Sequence, residues 1–128
     1  MLFRSLGRSD VISLHCPLND ATRGLFDAAT IARMKPGAML VNTARGALVD
    51  SAALVAALNS GHLFGAVIDV LPQEPPVAGD PLLEYQGDNL IITPHIAWGT
   101  EQARQNAIDE LAANVAAFIA GESLNRVV

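Results

Sequence analysis

Four residues of this chain have side chains suited to moving a proton beside an organic acid: Arg45, Asp69, Glu74 and His95. Histidine ordinarily titrates close to neutral pH, so His95 is a candidate general acid and base. It follows Pro94, just after the apolar run Leu90-Ile91-Ile92. Arg45 lies between Ala44 and Gly46. A planar guanidinium holds a carboxylate through two parallel hydrogen bonds, and a glycine lets a backbone or a ligand come close. Glu74 stands in the proline-bounded loop Leu71-Pro72-Gln73-Glu74-Pro75-Pro76. A carboxylate beside an imidazole fixes its tautomer and favours its protonated form. Asp69 ends the run Gly65-Ala66-Val67-Ile68, and a buried aspartate needs a partner. It either accepts hydrogen bonds from an amide group of a ligand or caps a local turn. Taken singly, His95 also reads as a hydrogen-bonded structural histidine, Arg45 as a surface cation and Glu74 as an exposed loop acid. Together the four describe a carboxylate anchor beside a proton donor.

Such chemistry needs elements that deliver these residues to one place. Four short apolar runs each end on a residue able to do chemistry. Val11 to Leu14 ends at His15-Cys16-Pro17, and Ala38 to Val41 ends at Asn42-Thr43-Ala44-Arg45. Gly65 to Ile68 ends at Asp69, and Leu90 to Ile92 ends at Thr93-Pro94-His95. Strands buried on both faces of a parallel sheet read as continuous apolar runs, and ligands bind beyond their carboxyl ends. The runs start 27, 27 and 25 residues apart, as strand–crossover–strand units of roughly 30 residues do. The expected class is α/β with a parallel sheet.

Asp27 is expected to cap a helix that stops near Met34, with Phe26 and Ile31 as its hydrophobic staple. Asp50 caps the next, Ser51 to Asn59, with Val49 and Leu54 as staple and Gly61 beyond. Pro72, Pro75, Pro76 and Pro81 make a regular helix between Leu71 and Asn89 an unfavourable expectation. Thr100 caps a long helix to about Ala120, with Gly121 after it. Its residues Ile108, Leu111, Val115, Phe118 and Ile119 are expected to form one buried stripe. Met1-Leu2-Phe3-Arg4-Ser5 suits neither a helix cap nor a strand, so residues 1–8 read as a fragment edge.

The bulk properties narrow the function classes. With 128 residues, 51% apolar and 16% charged, the chain makes one domain at most with a real core. A net charge of −5, without a cluster of Lys and Arg, argues against nucleic acid or an anionic membrane as partner. A single cysteine, Cys16, rules out an internal disulfide and fits a reducing compartment. No apolar stretch approaches the ~20 residues of a membrane span, and no leader is legible, so the cytosol is the expected location. His and Cys spacings suggest no metal site, and no glycine-rich phosphate loop occurs. His62 reads as a solvated turn residue, and Trp98 as packing, a pocket wall or a subunit contact.

The chain resembles the D-isomer-specific 2-hydroxyacid dehydrogenases. The matching pieces are Leu14-His15-Cys16-Pro17-Leu18, Thr22-Arg23-Gly24, Met34-Lys35-Pro36-Gly37 and Val41-Asn42-Thr43-Ala44-Arg45-Gly46. Val49-Asp50, Asp69-Val70, Glu74-Pro75 and Thr93-Pro94-His95 continue the match, which covers about Ser9 to Gly121. Asp69 to Pro76 and Pro94-His95-Ile96-Ala97-Trp98-Gly99 look most like the glycerate dehydrogenase, or hydroxypyruvate reductase, branch. The resemblance implies a hydride exchange between NAD(P)H and a 2-oxo acid, with hydroxypyruvate or glyoxylate as substrate. It implies that His95 protonates the carbonyl oxygen, Glu74 pairs with His95, and Arg45 holds the substrate carboxylate. Asp69 would bind the nicotinamide carboxamide. Cys16, Pro17, Thr22, Thr43 and Ala44, with Arg45 and His95, would line the cofactor.

The same resemblance implies a fold, the C-terminal half of a doubly wound Rossmann domain over residues 9–121, with the long helix at its end. Residues 122–128 would lead out towards a substrate domain. The G-x-G-x-x-G turn and the ribose-reading position of such a domain do not occur in this chain. The expectation therefore covers both NAD and NADP. It also includes a fragment that is inactive alone, a homodimeric parent, and an open apolar edge on the first strand. The alternative is a nucleotide-sensing interaction module of the dehydrogenase-like corepressor type, with no catalytic role.

Overall fold

Four parallel strands carry the apolar runs so that their ends lie along one edge of a sheet. They are β1 (Val11–Leu14), β2 (Ala38–Asn42), β3 (Leu63–Ile68) and β4 (Leu90–Ile92), in the order β1-β2-β3-β4. The computed structural model describes residues 2–127. Met1 and Val128, the outermost residues of the two expected flanking segments, lie outside the described residues. β3 begins two residues before the apolar run suggested, and β2 runs on to Asn42. β1 and β4 are the sheet's edge strands.

The expectation that the strands are buried on both faces holds for one face only. Each crossover moves the chain one strand further in the same direction. Right-handed crossovers then all lie on the same face. That face carries the rows Ile12–Leu40–Ala66–Leu90 and Leu14–Asn42–Ile68–Ile92, in register across the sheet. It forms the core with Phe26, Ile31, Leu48, Leu54 and Leu58. The other face carries Ser13, Val41, Val67 and Ile91 in one row. Its edge residues Val11 and Ile91 are 55% and 59% exposed.

The crossover helices follow their caps. Asp27 accepts from the Thr30 N–H at 2.8 Å and starts α2 (Ala28–Ile31). This helix closes early, because Arg33 and Met34 bond three residues back, to Thr30 and Ile31. Asp50 accepts from Ala53 N–H and starts α3 (Ser51–Asn59), with Gly61 at φ 70° beyond it. Phe26, Ile31, Val49 and Leu54, the two staples, are buried. Two elements correct the sequence reading. The opening segment contains a short helix, α1 (Leu2–Leu6). It is held by burial of Leu6 and by the Lys35 N–H on the Leu6 carbonyl rather than by a capping sequence. The proline-rich crossover contains one helical turn, α4 (Pro81–Glu84). Pro81 is tolerated there because it occupies the first turn, where Asp80 accepts from Leu82 N–H and from the Ser51 hydroxyl.

The described residues from Ile96 onward pack as a second unit. Thr100 accepts from Ala103 N–H and starts α5 (Glu101–Ile119). Gly121 at φ 74° and the Glu122 N–H on the Ala117 carbonyl end it. Asn125 then reaches back to Glu110 and Asn114, at 3.1 Å each. The expected stripe is not buried: Ile108, Leu111, Val115, Phe118 and Ile119 are 51–84% exposed. An amphipathic period shows that a helix has an apolar face, but not what covers it.

The two faces of the sheet differ in what a truncation costs. Leu54→Ala should lower stability by about 2–5 kcal/mol, and Ile91→Ala by less than about 1 kcal/mol. Urea unfolding of the two variants measures the contrast.

Candidate active site

The row Leu14–Asn42–Ile68–Ile92 closes the buried face at the carboxyl ends of the strands, and Asn42 is its one polar member. Asn42 is 1% exposed, so its amide must be satisfied from within. It is: Oδ1 accepts from Ala44 N–H at 3.1 Å, and Nδ2 donates to the Arg45 carbonyl at 3.0 Å. Its own carbonyl accepts from Asp69 N–H at 2.9 Å. One buried amide therefore shapes the turn that presents Thr43, Ala44 and Arg45. A 3-10 turn, Gly46–Leu48, follows at once.

Arg45 is exposed and extended, with Nη1 donating to the Ala44 carbonyl at 2.6 Å. With Thr43, Ala44, His15, Cys16, Pro17 and Leu18 it lines a cleft of about 540 Å³ at the ends of β1 and β2. Thr22 does not line this cleft. Its hydroxyl donates to the Pro17 carbonyl at 2.7 Å and accepts from Asn19 N–H at 2.8 Å. Thr22 thereby closes the loop that carries Pro17 and Leu18.

A second cleft, of about 530 Å³, opens at the ends of β3 and β4. Leu71, Pro75, Pro76, Leu83, Ile92 and Pro94 form its apolar wall, and Asp69, Glu74, Thr93 and His95 supply polar atoms. Asp69 is 3% exposed and accepts a hydrogen bond from the Thr93 hydroxyl. Glu74 carries two bonds: Oε1 accepts from Leu71 N–H at 2.8 Å, and Oε2 accepts from His95 Nδ1 at 2.6 Å. Burial pushes the Glu74 carboxyl up. The Leu71 N–H bond, then the hydrogen bond and charge of His95, outweigh it and hold the carboxyl below its ordinary value. An ionised Glu74 accepts, so the Nδ1 proton of His95 is the one donated. His95 takes φ 54°, a left-handed conformation that side chains other than glycine adopt at a cost of about 1–2 kcal/mol.

The structure thus brings Asp69, Glu74 and His95 around one cleft, and Cys16, Pro17, Thr43, Ala44 and Arg45 around another. Sequence reasoning missed two residues. Asn42 and Thr93 orient Arg45 and Asp69, and both stand in strand-end motifs where a small polar residue follows an apolar run. Asn is prone to bond the backbone two residues on, which was the available signal. His62 corrects its reading as a solvated turn residue. It is half-buried, with Nε2 3.0 Å from the Ile31 carbonyl, which also accepts from Met34 N–H at the end of the shortened α2. Among the described residues no group of three or more His, Cys, Asp or Glu is placed to hold a metal ion.

Comparison with known proteins adds to this geometry. The family model for the D-isomer specific 2-hydroxyacid dehydrogenase NAD binding domain matches residues 2–97. A glycerate dehydrogenase of Methylorubrum extorquens is 48% identical over 122 residues, 95% of this chain and 39% of the relative. A hydroxypyruvate reductase of Blautia hydrogenotrophica is 42% identical over 122 residues, 95% of this chain and 37% of the relative. The NAD-complexed D-isomer specific 2-hydroxyacid dehydrogenase of Lactobacillus delbrueckii ssp. bulgaricus superposes with a TM-score of 0.84 at 30% identity. That superposition covers 98% of this chain and 42% of the other. The chain therefore spans about two fifths of the length of the curated relatives it matches.

Because Glu74 is held below its ordinary value, its contribution to stability has a definite sign with pH. A carboxyl depressed in the folded state stabilises fully above its unfolded value, and the gain is lost as pH falls through the lower folded value. The stability difference between the wild-type chain and Glu74→Gln should be constant near neutral pH. It should shrink as pH falls below about 4.5, the ordinary glutamate value. Denaturant unfolding across pH 3–7 checks the trend.

Proposed function

This chain belongs to the D-isomer specific 2-hydroxyacid dehydrogenase family, as an NAD-binding domain of it, and on that premise we propose that its strand ends carry proton transfer and substrate anchoring for reduction of a small 2-oxo acid. The bond between His95 Nδ1 and Glu74 Oε2, beside the cleft that Asp69 also lines, carries this reading. With Nδ1 held, Nε2 is the atom that gives a proton to the carbonyl oxygen and takes it back in the reverse direction. The imidazolium is stabilised by the ionised Glu74 at its other nitrogen. Arg45 leaves the Ala44 carbonyl to bind the substrate carboxylate through two hydrogen bonds.

The proposed cofactor is NAD, with NADP as the alternative, and its reduced form would supply the hydride when bound. The residues present fit its nicotinamide end. Asp69 is a buried acceptor held by Thr93, suited to a carboxamide N–H. Cys16, Pro17, Thr43 and Ala44 line the cleft beside Arg45, and Thr22 keeps its loop in shape. No G-x-G-x-x-G turn occurs in the chain to receive a pyrophosphate. On this reading residues 9–121 are the second half of a nucleotide-binding domain, and residues 122–128 lead towards a substrate domain. Hydroxypyruvate and glyoxylate are the proposed substrates, and the named relatives support hydroxypyruvate. A cytoplasmic homodimer is the proposed state of the full-length protein.

The test is NADH oxidation by the full-length protein that carries this chain, with hydroxypyruvate and glyoxylate. His95→Gln should lower kcat by about 10²–10⁴-fold, and Arg45→Ala should lower kcat/KM by a comparable factor. Near-normal turnover in both variants refutes the assignment.

A further inference from the structure

The turn that carries Arg45 and the loop that carries Glu74 belong to different crossovers, yet they touch through bare backbone. Gly46 is buried. A methyl group placed on it would lie well inside 3.0 Å of the Leu71 carbonyl group and the Pro72 nitrogen, an approach that real side chains do not make. Both partners are backbone, so no flexible side chain can swing away to make room. The same Leu71 supplies the N–H that holds Glu74 Oε1 at 2.8 Å, and Glu74 Oε2 in turn holds His95 Nδ1 at 2.6 Å. On the other side, the turn is fixed by Asn42 and by the Leu48 N–H on the Arg45 carbonyl at 3.2 Å.

We propose that Gly46 is a positioning residue: by lacking a side chain it lets the Leu71–Pro72 peptide seat directly on the Arg45 turn, and this contact sets Glu74 against His95. The substrate anchor and the proton-transfer pair are then registered to each other by one backbone contact. A side chain at position 46 would push the loop outward, and Glu74 would follow Leu71. The catalytic consequence rests on the roles proposed above for Arg45, Glu74 and His95. The positional claim does not, and its readout needs no activity.

The experiment follows the Glu74 carboxyl by carbon-13 NMR against pH in the 128-residue chain. Gly46→Ala should keep its helical circular dichroism while Glu74 titrates at higher pH, back towards the ordinary glutamate range. The other four glutamates should not move. Gly65→Ala is the control, because its methyl group would meet the Asn89 carbonyl at 3.0 Å, in a different part of the sheet. It should lower the unfolding midpoint and leave Glu74 where it is. A folded Gly46→Ala with an unmoved Glu74 overturns the proposal, as does an equal movement in Gly65→Ala. Should Gly46→Ala not fold, amide hydrogen exchange in the unsubstituted chain decides. Leu71, Leu48 and Val49 should then open together as one unit. Exchange at Leu71 about 100-fold or more faster than at Leu48 and Val49 overturns the proposal.

Discussion

One carboxylate ties the candidate site together. Glu74 accepts from the Leu71 backbone on one oxygen and from His95 Nδ1 on the other. The first bond orients the acid within its own loop, and the second carries that orientation to a residue on a different strand end. Burial works against the charge, and the two hydrogen bonds prevail. Without Glu74, His95 would keep its backbone position but lose the partner that selects its tautomer. The remainder of the domain serves to keep these groups in reach of one another.

The sheet does so through its order. A monotonic β1-β2-β3-β4 sequence puts every strand end on one edge and every crossover on one face. The apolar rows on the covered face hold the strands in register, and their last row contains Asn42. Burying an amide there is tolerable because all its bonds are made within the turn it shapes. Hydrophobic packing and site geometry therefore meet at a single residue. The uncovered face and the exposed stripe of α5 are apolar surfaces of the same chain.

The strand ends were legible in the sequence because a parallel strand leaves an apolar run, and here each run stops at a polar residue. β4 matched its run residue for residue, and the caps at Asp27, Asp50 and Thr100 all accept the expected amide. What failed were statements about partners rather than periods. The α5 stripe predicted burial, but a period cannot name the covering surface. Continuous apolar strands predicted two covered faces, while crossover direction covers one. α1 escaped because tertiary anchoring by Leu6 replaced a capping signal. At the candidate site, Arg45, Asp69, Glu74 and His95 were singled out by residue type and position. Asn42 and Thr93 were not, since their work is to bond other site groups, and spacing alone does not show that. Gly46 was read as permitting close approach; the structure shows that what approaches is the Leu71–Pro72 peptide.

The central claim is that these strand ends serve hydride transfer to a 2-oxo acid with proton delivery from His95. The most direct measurement is product analysis after incubating the full-length protein with hydroxypyruvate and NADH carrying deuterium at the transferable position of the nicotinamide. The account predicts the D-configured 2-hydroxy acid with deuterium at C2. An unlabelled product, an L-configured one, or no reduction of any 2-oxo acid would contradict it.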